Sequence, residues 1–428
     1  MMTTPDVLPP AELSRSVPGW HDDLASGLPG IALLHTHYAA HGGGSWDTAN
    51  SWLAAMGRHA PRDTTEASLY QGAPAVAYAL RVSHAAGNPA GMIPVWLSEA
   101  DAATAAIARL RLTDATARLS HTTSHPPQRD WNLSHGLTGF AASLLAGDTA
   151  DDGDLLREIL TYLVDLTLHA PDPAPGASQP HPDGPAVDGL GKQGGGGVLS
   201  GKAGVLALLA LAADEAITVP GHHEAIDQIS RTYETSLEPV VDKPHRMCSS
   251  EGPDGVVGTC CPDNGEPASR PSWCDGTAGI ARALQLAAIV LGDQQRQLRA
   301  ETLLAHCLRD FRQAMQLTDF TVCHGWSGLF HTLRAATADA GPASPLADTT
   351  PHLDEPSMLR ICDTLPAVVG DGLLTGKAGM KLAALTPLSA TNTADEPPPS
   401  RTRGTRARWD DCLLVRRRAI PNREREVT

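Results

Sequence analysis

Two short motifs in the second half of the sequence carry the residue types that bind a transition metal. Cys274 stands in Trp-Cys-Asp-Gly, and Cys323 and His324 stand in Cys-His-Gly. Two thiolates and one imidazole would give zinc three soft ligands and leave its fourth position open to a reactant, which is typical of catalytic rather than structural zinc sites. We therefore expect Cys274, Cys323 and His324 to form a zinc site.

The two motifs are the fifth and sixth of about seven copies of one repeat. Each copy has a glycine, two further residues and a second glycine, followed by an apolar run. The first glycines are Gly27, Gly72, Gly136, Gly201, Gly276, Gly325 and Gly376. In the second copy Ala75 replaces the second glycine. The spacing leaves room for a further helix in each repeat, as in helical-hairpin repeats.

The apolar runs predict an all-α fold. Residues 205–211 are apolar on nearly all sides, which indicates a helix buried all round, whereas 224–229 are amphipathic. We interpret the pattern as an α/α toroid, with inner helices wrapped by outer ones and with irregular loop insertions. An open solenoid is the alternative, but it needs polar terminal caps, and neither end of the sequence offers an obvious one.

The repeated glycines are expected to serve two purposes. The first would allow a positive φ at a sharp entry turn. The second would remove a side chain where neighbouring helices crowd.

The toroid is expected to span residues 1–389, followed by a Pro- and Arg-rich mobile tail over 390–428 in which 409–415 could dock as a short element. Residues 171–197 and 242–271 are expected to be irregular loops. The second loop carries Cys248, Cys260 and Cys261 without a C-x-x-C pair, so no second metal site is expected.

Composition narrows the class of protein further. The formal net charge is −15 and the sequence pI is about 5.6, which argues against nucleic-acid binding. We expect no secretory signal at the N-terminus, and no run approaches the roughly 20 apolar residues of a membrane span. We expect a cytoplasmic location, with peripheral membrane association through a biosynthetic complex as a further option. In a reducing compartment, grouped Cys and His residues indicate metal or catalytic sites rather than disulfides.

Taken together, the metal motifs and the glycine repeats resemble those of lanthionine synthetase C-like (LanC-type) cyclases over about residues 24–385. The most specific stretches are 270–279 and 322–328. The resemblance implies a double ring of seven inner and seven outer helices, and one zinc ion bound by Cys274, Cys323 and His324. It also implies a substrate: a ribosomally made precursor peptide dehydrated by a partner dehydratase, with an export transporter as a further partner.

The implied reaction closes a thioether ring. A peptide cysteine adds to dehydroalanine or dehydrobutyrine, giving lanthionine or methyllanthionine. Zinc would hold the attacking thiol as a thiolate. The enolate that forms needs positive charge or hydrogen-bond donors, and then a proton from an acid.

The sequence departs from the family where that acid is expected. The family's favoured proton donor is a His directly before the first glycine of the fourth repeat, and here that residue is Ser200. The usual Asp four residues before the glycine of the third repeat is Asn132, and the usual Tyr after the zinc Cys is Asp275. The Arg four residues before that Cys is kept, as Arg270.

Three residues are candidates for the catalytic work. His135 precedes Gly136 at the repeat-equivalent place of the missing His and could supply or relay the proton; the alternative is a solvated loop His. Asp275 could act as an acid or hydrogen-bond a metal ligand, unless it only caps its loop. Arg270 could stabilise the enolate or a peptide carbonyl, unless it forms a surface ion pair.

The leading functional interpretation is a zinc-dependent peptide cyclase. The alternative is a degenerate, non-catalytic relative that binds zinc and peptide as a scaffold for a dehydratase complex. Other toroid enzymes fit less well, because glycosidases need two placed carboxylates and terpenoid cyclases favour aromatic-lined cavities, whereas only 4% of this chain is aromatic.

Overall fold

The computed structural model describes residues 19–57, 66–121, 126–147, 149–170, 196–241, 270–346, 370–386 and 407–417. Within these ranges the secondary structure is helical, apart from isolated β-bridges. The helices are, in chain order, α1 (Leu28–Ala40), α2 (Trp46–Gly57), α3 (Ala73–Ala85), α4 (Ile93–His121), α5 (Leu137–Ala146), α6 (Thr149–His169), α7 (Lys202–Asp214), α8 (His222–Val241), α9 (Thr277–Leu291), α10 (Gln294–Arg309), α11 (Phe311–Ala314), α12 (Trp326–Ala338) and α13 (Lys377–Leu385).

Seven of these helices form the inner ring, and each begins at the residue after the first glycine of a repeat. They are α1, α3, α5, α7, α9, α12 and α13. Their burial follows from their composition: every residue of α5 and all of 203–212 in α7 are buried, because these helices pack on both neighbours and on an outer helix. The outer helices α2, α4 and α10 pack directly against α1, α3 and α9.

The ring closes between the first and last repeats. Leu373 and Leu374 donate backbone hydrogen bonds to the carbonyls of Leu24 and Ala25, and α1 packs against α13. The expected α/α toroid is therefore confirmed, and the open solenoid is excluded.

The motif loops form a second, smaller ring at the end of the toroid where the inner helices begin. Backbone hydrogen bonds of 2.8–3.1 Å join neighbouring loops at six of the seven junctions, all but the one between the second and third loops. They run from Leu24 N to Tyr70 O, Ser134 N to Leu199 O, Leu199 N to Cys274 O, Cys274 N to Cys323 O, Cys323 N to Leu374 O, and Leu374 N to Ala25 O. The loops therefore follow one another around this end in repeat order.

The expected role of the first glycine is wrong for six of the seven repeats. Gly72 has a φ of 76°, whereas the other six have φ between −98° and −137°. The reason for glycine is close approach instead. A Cβ on Gly276 would lie 2.2 Å from the carbonyl oxygen of Arg270, and one on Gly325 would lie 2.2 Å from a carboxylate oxygen of Asp319.

The second glycine has the expected crowded surroundings. A Cβ on Gly279 would lie 2.0 Å from the carbonyl oxygen of Trp273, and one on Gly328 would lie 1.9 Å from that of Val322. The one on Gly328 would also meet the Trp273 side chain at 3.3 Å, from the neighbouring repeat. Both glycines thus let a helix start pack on its own loop and on the next.

Residues 407–417 lie inside the ring and not in a mobile tail. Trp409, Cys412, Leu413, Leu414 and Val415 are all buried in the shared core. The domain boundary at 389 stays a prediction, because the rest of 390–428 lies outside the described residues. Most of the two expected loops also lies outside them, including Cys248, Cys260 and Cys261.

Candidate metal centre

The two metal motifs are neighbours in the ring of loops. The hydrogen bond from Cys274 N to Cys323 O, 3.1 Å long, sets the fifth loop against the sixth. Both loops run directly into the N-termini of α9 and α12. A helix N-terminus carries partial positive charge, so this position favours thiolate over thiol.

Cys274, Cys323 and His324 come together as a possible ligand set. One ligand atom from each lies within 4.8 Å of the other two. Both thiols are buried, at 8% and 7% exposure, whereas the His324 side chain is 38% exposed. Zinc–sulfur bonds of about 2.3 Å and zinc–nitrogen bonds of about 2.1 Å can span such separations from one ion. The donor set therefore fits zinc, with its open side at the imidazole.

The two thiols share their protons unequally. A hydrogen bond from Cys323, together with one from His324, lowers the pKa of Cys274 to about 6 despite burial. Donating that bond, followed by burial, raises the pKa of Cys323 well above its ordinary value. The two pKa values move in opposite directions because Cys323 donates the hydrogen bond that Cys274 accepts. A metal binds cysteine as the thiolate, so a lowered pKa of Cys274 favours metal binding.

Negative charge on Cys274 and on Asp319 acts on the His324 imidazole. Its hydrogen bond to Cys274 raises its pKa, against the effect of burial, and Asp319 raises it further. The Asp319 carboxylate lies 3.8 Å from Nε2 of His324, and its other oxygen accepts hydrogen bonds from Thr321. A carboxylate fixed beside a ligating imidazole orients the ring and raises its basicity.

Asp275 is held by the neighbouring fourth loop. Its Oδ1 accepts a 2.6 Å hydrogen bond from Ser200 Oγ and a 3.2 Å bond from Ser200 N. Its charge raises the pKa of both Cys274 and Cys323, so the carboxylate lies close to the thiols. The residue that replaces the expected His therefore holds Asp275 next to the metal ligands.

Asn132 stabilises its own loop. Its Oδ1 accepts hydrogen bonds from the backbone N–H groups of His135 and Gly136. This is the local side-chain-to-backbone pattern that stabilises turns. Asn132 is buried.

His135 lies on the third loop, next to the loop of Ser200. It is exposed, and its Nδ1 is 2.9 Å from Ser134 Oγ. Arg111 donates a hydrogen bond to its carbonyl oxygen. The cluster of ligand atoms does not include it, so its proposed role in proton transfer stays a prediction.

Arg270 lies close to the metal site. Its positive charge lowers the pKa of His324, and its carbonyl oxygen accepts the N–H of Thr277 at the start of α9. The side chain is half-buried. Its proposed role in stabilising an enolate stays a prediction, as does that of Asp275.

Two residues near the site were missed from the sequence. Ser272 places its hydroxyl 3.7 Å from the Cys274 sulfur, and a carboxylate oxygen of Asp319 lies 3.8 Å from Nε2 of His324. The sequence does contain a signal for Asp319. When the repeats are aligned on their first glycines, Asp319 lies six residues before Gly325, the same position that Arg270 occupies relative to Gly276. No comparable signal marks Ser272.

A comparison with known families gives the class of protein. The sequence model of the lanthionine synthetase C-like protein family matches residues 19–395. The chain therefore belongs to the lanthionine synthetase C-like family.

Comparison with solved structures agrees on the fold. Nisin cyclase matches with a TM-score of 0.64 and 17% sequence identity, over 93% of this chain and 93% of that one. At this identity the likeness shows the fold alone. No protein matches in a search of curated proteins.

Proposed function

We propose that this protein is a zinc-dependent cyclase that closes thioether rings in a dehydrated, ribosomally made peptide. The observation that carries the proposal is the convergence of Cys274, Cys323 and His324 from adjacent loops, with the imidazole on the open side. When bound there, zinc would lower the pKa of a substrate thiol and hold it as a thiolate. Family membership and the fold of nisin cyclase support this assignment.

The chain's own residues supply the remaining requirements. The peptide sulfur forms a bond to the β-carbon of dehydroalanine or dehydrobutyrine, and the electron pair of the alkene moves to the α-carbon and its carbonyl. Arg270, whose positive charge acts on His324, would stabilise that negative charge. A proton then reaches the α-carbon from an acid on the motif loops, for which Asp275 and His135 are the candidates.

The test uses a synthetic peptide that carries one dehydroalanine and one cysteine. Ring closure leaves the peptide mass unchanged but consumes the thiol, so alkylation with iodoacetamide before mass spectrometry distinguishes product from substrate. We expect time-dependent loss of the alkylated species with the wild-type protein and none with Cys274→Ala. The rate with Cys274→Ala should equal the rate with no protein added. A wild-type rate no greater than these two would contradict the proposal.

One observation favours a second function, that of a non-catalytic scaffold for a dehydratase complex. Ser200 is engaged with Asp275 and Asn132 with its own turn, so neither stands in for the usual acid–base pair. Under this alternative the protein binds zinc and the dehydrated peptide, but the peptide thiol persists. The same alkylation assay separates the two functions.

The proposal extends to partners and location. The peptide substrate, the dehydratase that prepares it and an exporter would be partners in a cytoplasmic complex, with membrane association through that complex. Among the helices of the described residues, none is long and apolar enough to cross a membrane.

A further inference from the structure

The described part of the C-terminal region, residues 407–417, fills the inside of the helical ring. Asp410 and Cys412 have no exposed surface, and Leu413 is 1% exposed. The family match ends at residue 395, so this segment lies beyond it. We call residues 407–417 the C-terminal plug.

The plug contacts most of the inner helices. Tyr78 of α3 donates to the carbonyl of Arg408 and accepts from Cys412 N, each within 2.8 Å. Arg282 of α9 donates to the carbonyl of Val415 at 2.8 Å. Such bonds from buried side chains to the plug backbone require the segment to hold one register inside the ring.

Charges also hold the plug in place. Asp410 and His331 of α12 are both buried and lie 3.0 Å apart, and Arg416 lies 3.3 Å from the same carboxylate oxygen. Arg417 pairs with Asp214 at the end of α7, with an N–O distance of 2.6 Å. A buried carboxylate is tolerated only when it is paired. These contacts therefore indicate that the plug binds at a specific position inside the ring.

One of the plug's hydrogen bonds reaches a loop of the metal site, and a neighbouring one reaches the second motif loop. The indole N–H of Trp273, the residue directly before Cys274, donates to the carbonyl of Leu413 at 2.9 Å. The hydroxyl of Tyr70 donates to the carbonyl of Cys412 at 2.8 Å. Tyr70 is buried, and burial raises its pKa well above the ordinary value, with negative charge on Cys412, Cys323 and Cys274 raising it further.

We propose that the C-terminal plug positions the two thiols of the metal site, through the hydrogen bonds of its Leu413 and Cys412 carbonyls with Trp273 and Tyr70. Trp273 has no exposed surface and therefore cannot exchange this bond for one with water. Loss of the bond leaves a buried carbonyl unpaired and lets the fifth loop move relative to the sixth. The inference rests on the zinc site of the proposed function.

The test compares two substitutions in the full-length protein with one control. Trp273→Phe removes the indole donor to the plug at the metal loop, and Tyr70→Phe removes the hydroxyl donor. Trp131→Phe removes a buried indole donor outside the plug, which bonds the carbonyl of Pro126 at 3.2 Å. It is the control for loss of one buried hydrogen bond away from the thiols.

Two readouts are measured on each variant after its folding is checked by circular dichroism. The first is zinc affinity by competition with a chromophoric chelator. The second is the rate at which the thiols of metal-free protein react with Ellman's reagent. We expect Trp273→Phe and Tyr70→Phe to weaken zinc binding about three- to tenfold, the effect of one buried hydrogen bond, and to raise thiol reactivity. Trp131→Phe should lower the melting temperature and leave both readouts unchanged.

Equal effects of Trp273→Phe and Trp131→Phe on both readouts, or no effect of Trp273→Phe and Tyr70→Phe, would overturn the proposal. Failure of the proposed function gives a different result. In that case the wild-type protein binds no zinc, while the thiol reactivity of the variants still reports whether the plug positions Cys274 and Cys323.

Discussion

Ser200 donates a 2.6 Å hydrogen bond from its hydroxyl to the carboxylate of Asp275, across two neighbouring loops of the ring. Ser200 stands where the family usually has its proton-donating His, and Asp275 directly follows a proposed zinc ligand. The bond therefore joins two departures from the family pattern in one contact beside the metal site. The two departures therefore form one hydrogen-bonded pair, in which Ser200 fixes the orientation of the Asp275 carboxylate.

Removing the Ser200 hydroxyl tests that relationship. We expect Ser200→Ala to lower the rate of ring closure about three- to tenfold, the effect of losing one partly buried hydrogen bond that positions Asp275, with zinc content unchanged. The measurement is the alkylation assay with the dehydrated peptide. Thr375→Ala is the matched control, since Thr375 occupies the same place on the seventh loop and is exposed. Equal rates for Ser200→Ala and wild type would contradict a positioning role.

His135 is the second candidate for the proton. If it donates or relays the proton, His135→Asn should lower turnover at least tenfold, toward the 10²–10⁴-fold that general acids typically contribute, with little change in zinc affinity. His41→Asn is a suitable control, because His41 is an exposed residue at the end of α1. Unchanged turnover of His135→Asn would assign the proton transfer to another residue.

Asp319 is expected to act on zinc affinity rather than on the proton. Asp319→Asn removes the carboxylate charge 3.8 Å from Nε2 of His324, and loss of such a partner typically weakens metal binding about 10–100-fold. Chelator competition measures the effect, with Asp47→Asn, an exposed position on α2, as the control. An affinity equal to that of wild type would show that His324 needs no partner.

Buried histidines predict acid sensitivity of the fold. Burial lowers the pKa of His35, which stacks on Trp52, to about 4. The unfolded chain takes up this proton near pH 6.5, so the unfolded state binds more protons below that pH. Stability contributed by keeping His35 neutral is therefore complete above about pH 6.5 and falls as the pH drops toward 4, by on the order of 3 kcal/mol.

Urea unfolding at pH 7 and pH 5 measures this effect. His35→Phe, which keeps a ring against Trp52, should lose less stability between the two pH values than wild type does. His223→Phe, which removes a histidine with an exposed side chain, is the control. An identical pH dependence for His35→Phe and wild type would show that His35 is protonated in the folded protein.

The sequence predicts the toroid and the metal cluster well, because both depend on local patterns that repeat. Apolar runs on all sides require buried helices, and the repeated loops bring Cys274 beside Cys323 once the ring closes. Six of the seven first glycines were predicted for the wrong reason, since the constraint at Gly276 and Gly325 is contact with the preceding residues of the loop and not a positive φ. Close approach between segments cannot be seen in the local sequence.

Contacts between distant segments were also beyond prediction. The bond from Trp273 to Leu413 joins residues 140 positions apart, and no periodicity relates them. The pairing of Ser200 with Asp275 depends on which loops are neighbours in the ring. That order was available from the repeats, but the orientation of the two side chains was not.

Zinc content is the most direct test of the central claim that Cys274, Cys323 and His324 hold a metal. The measurement is zinc per chain after reconstitution and desalting, for wild type, Cys274→Ala, Cys323→Ala and Cys307→Ala. Cys307 is a buried thiol on α10 whose pKa burial raises to about 12, which makes it a matched control. We expect about one zinc per chain in wild type and Cys307→Ala, and almost none in the other two. A wild-type protein without zinc, or Cys274→Ala and Cys323→Ala proteins that retain it, would contradict the account.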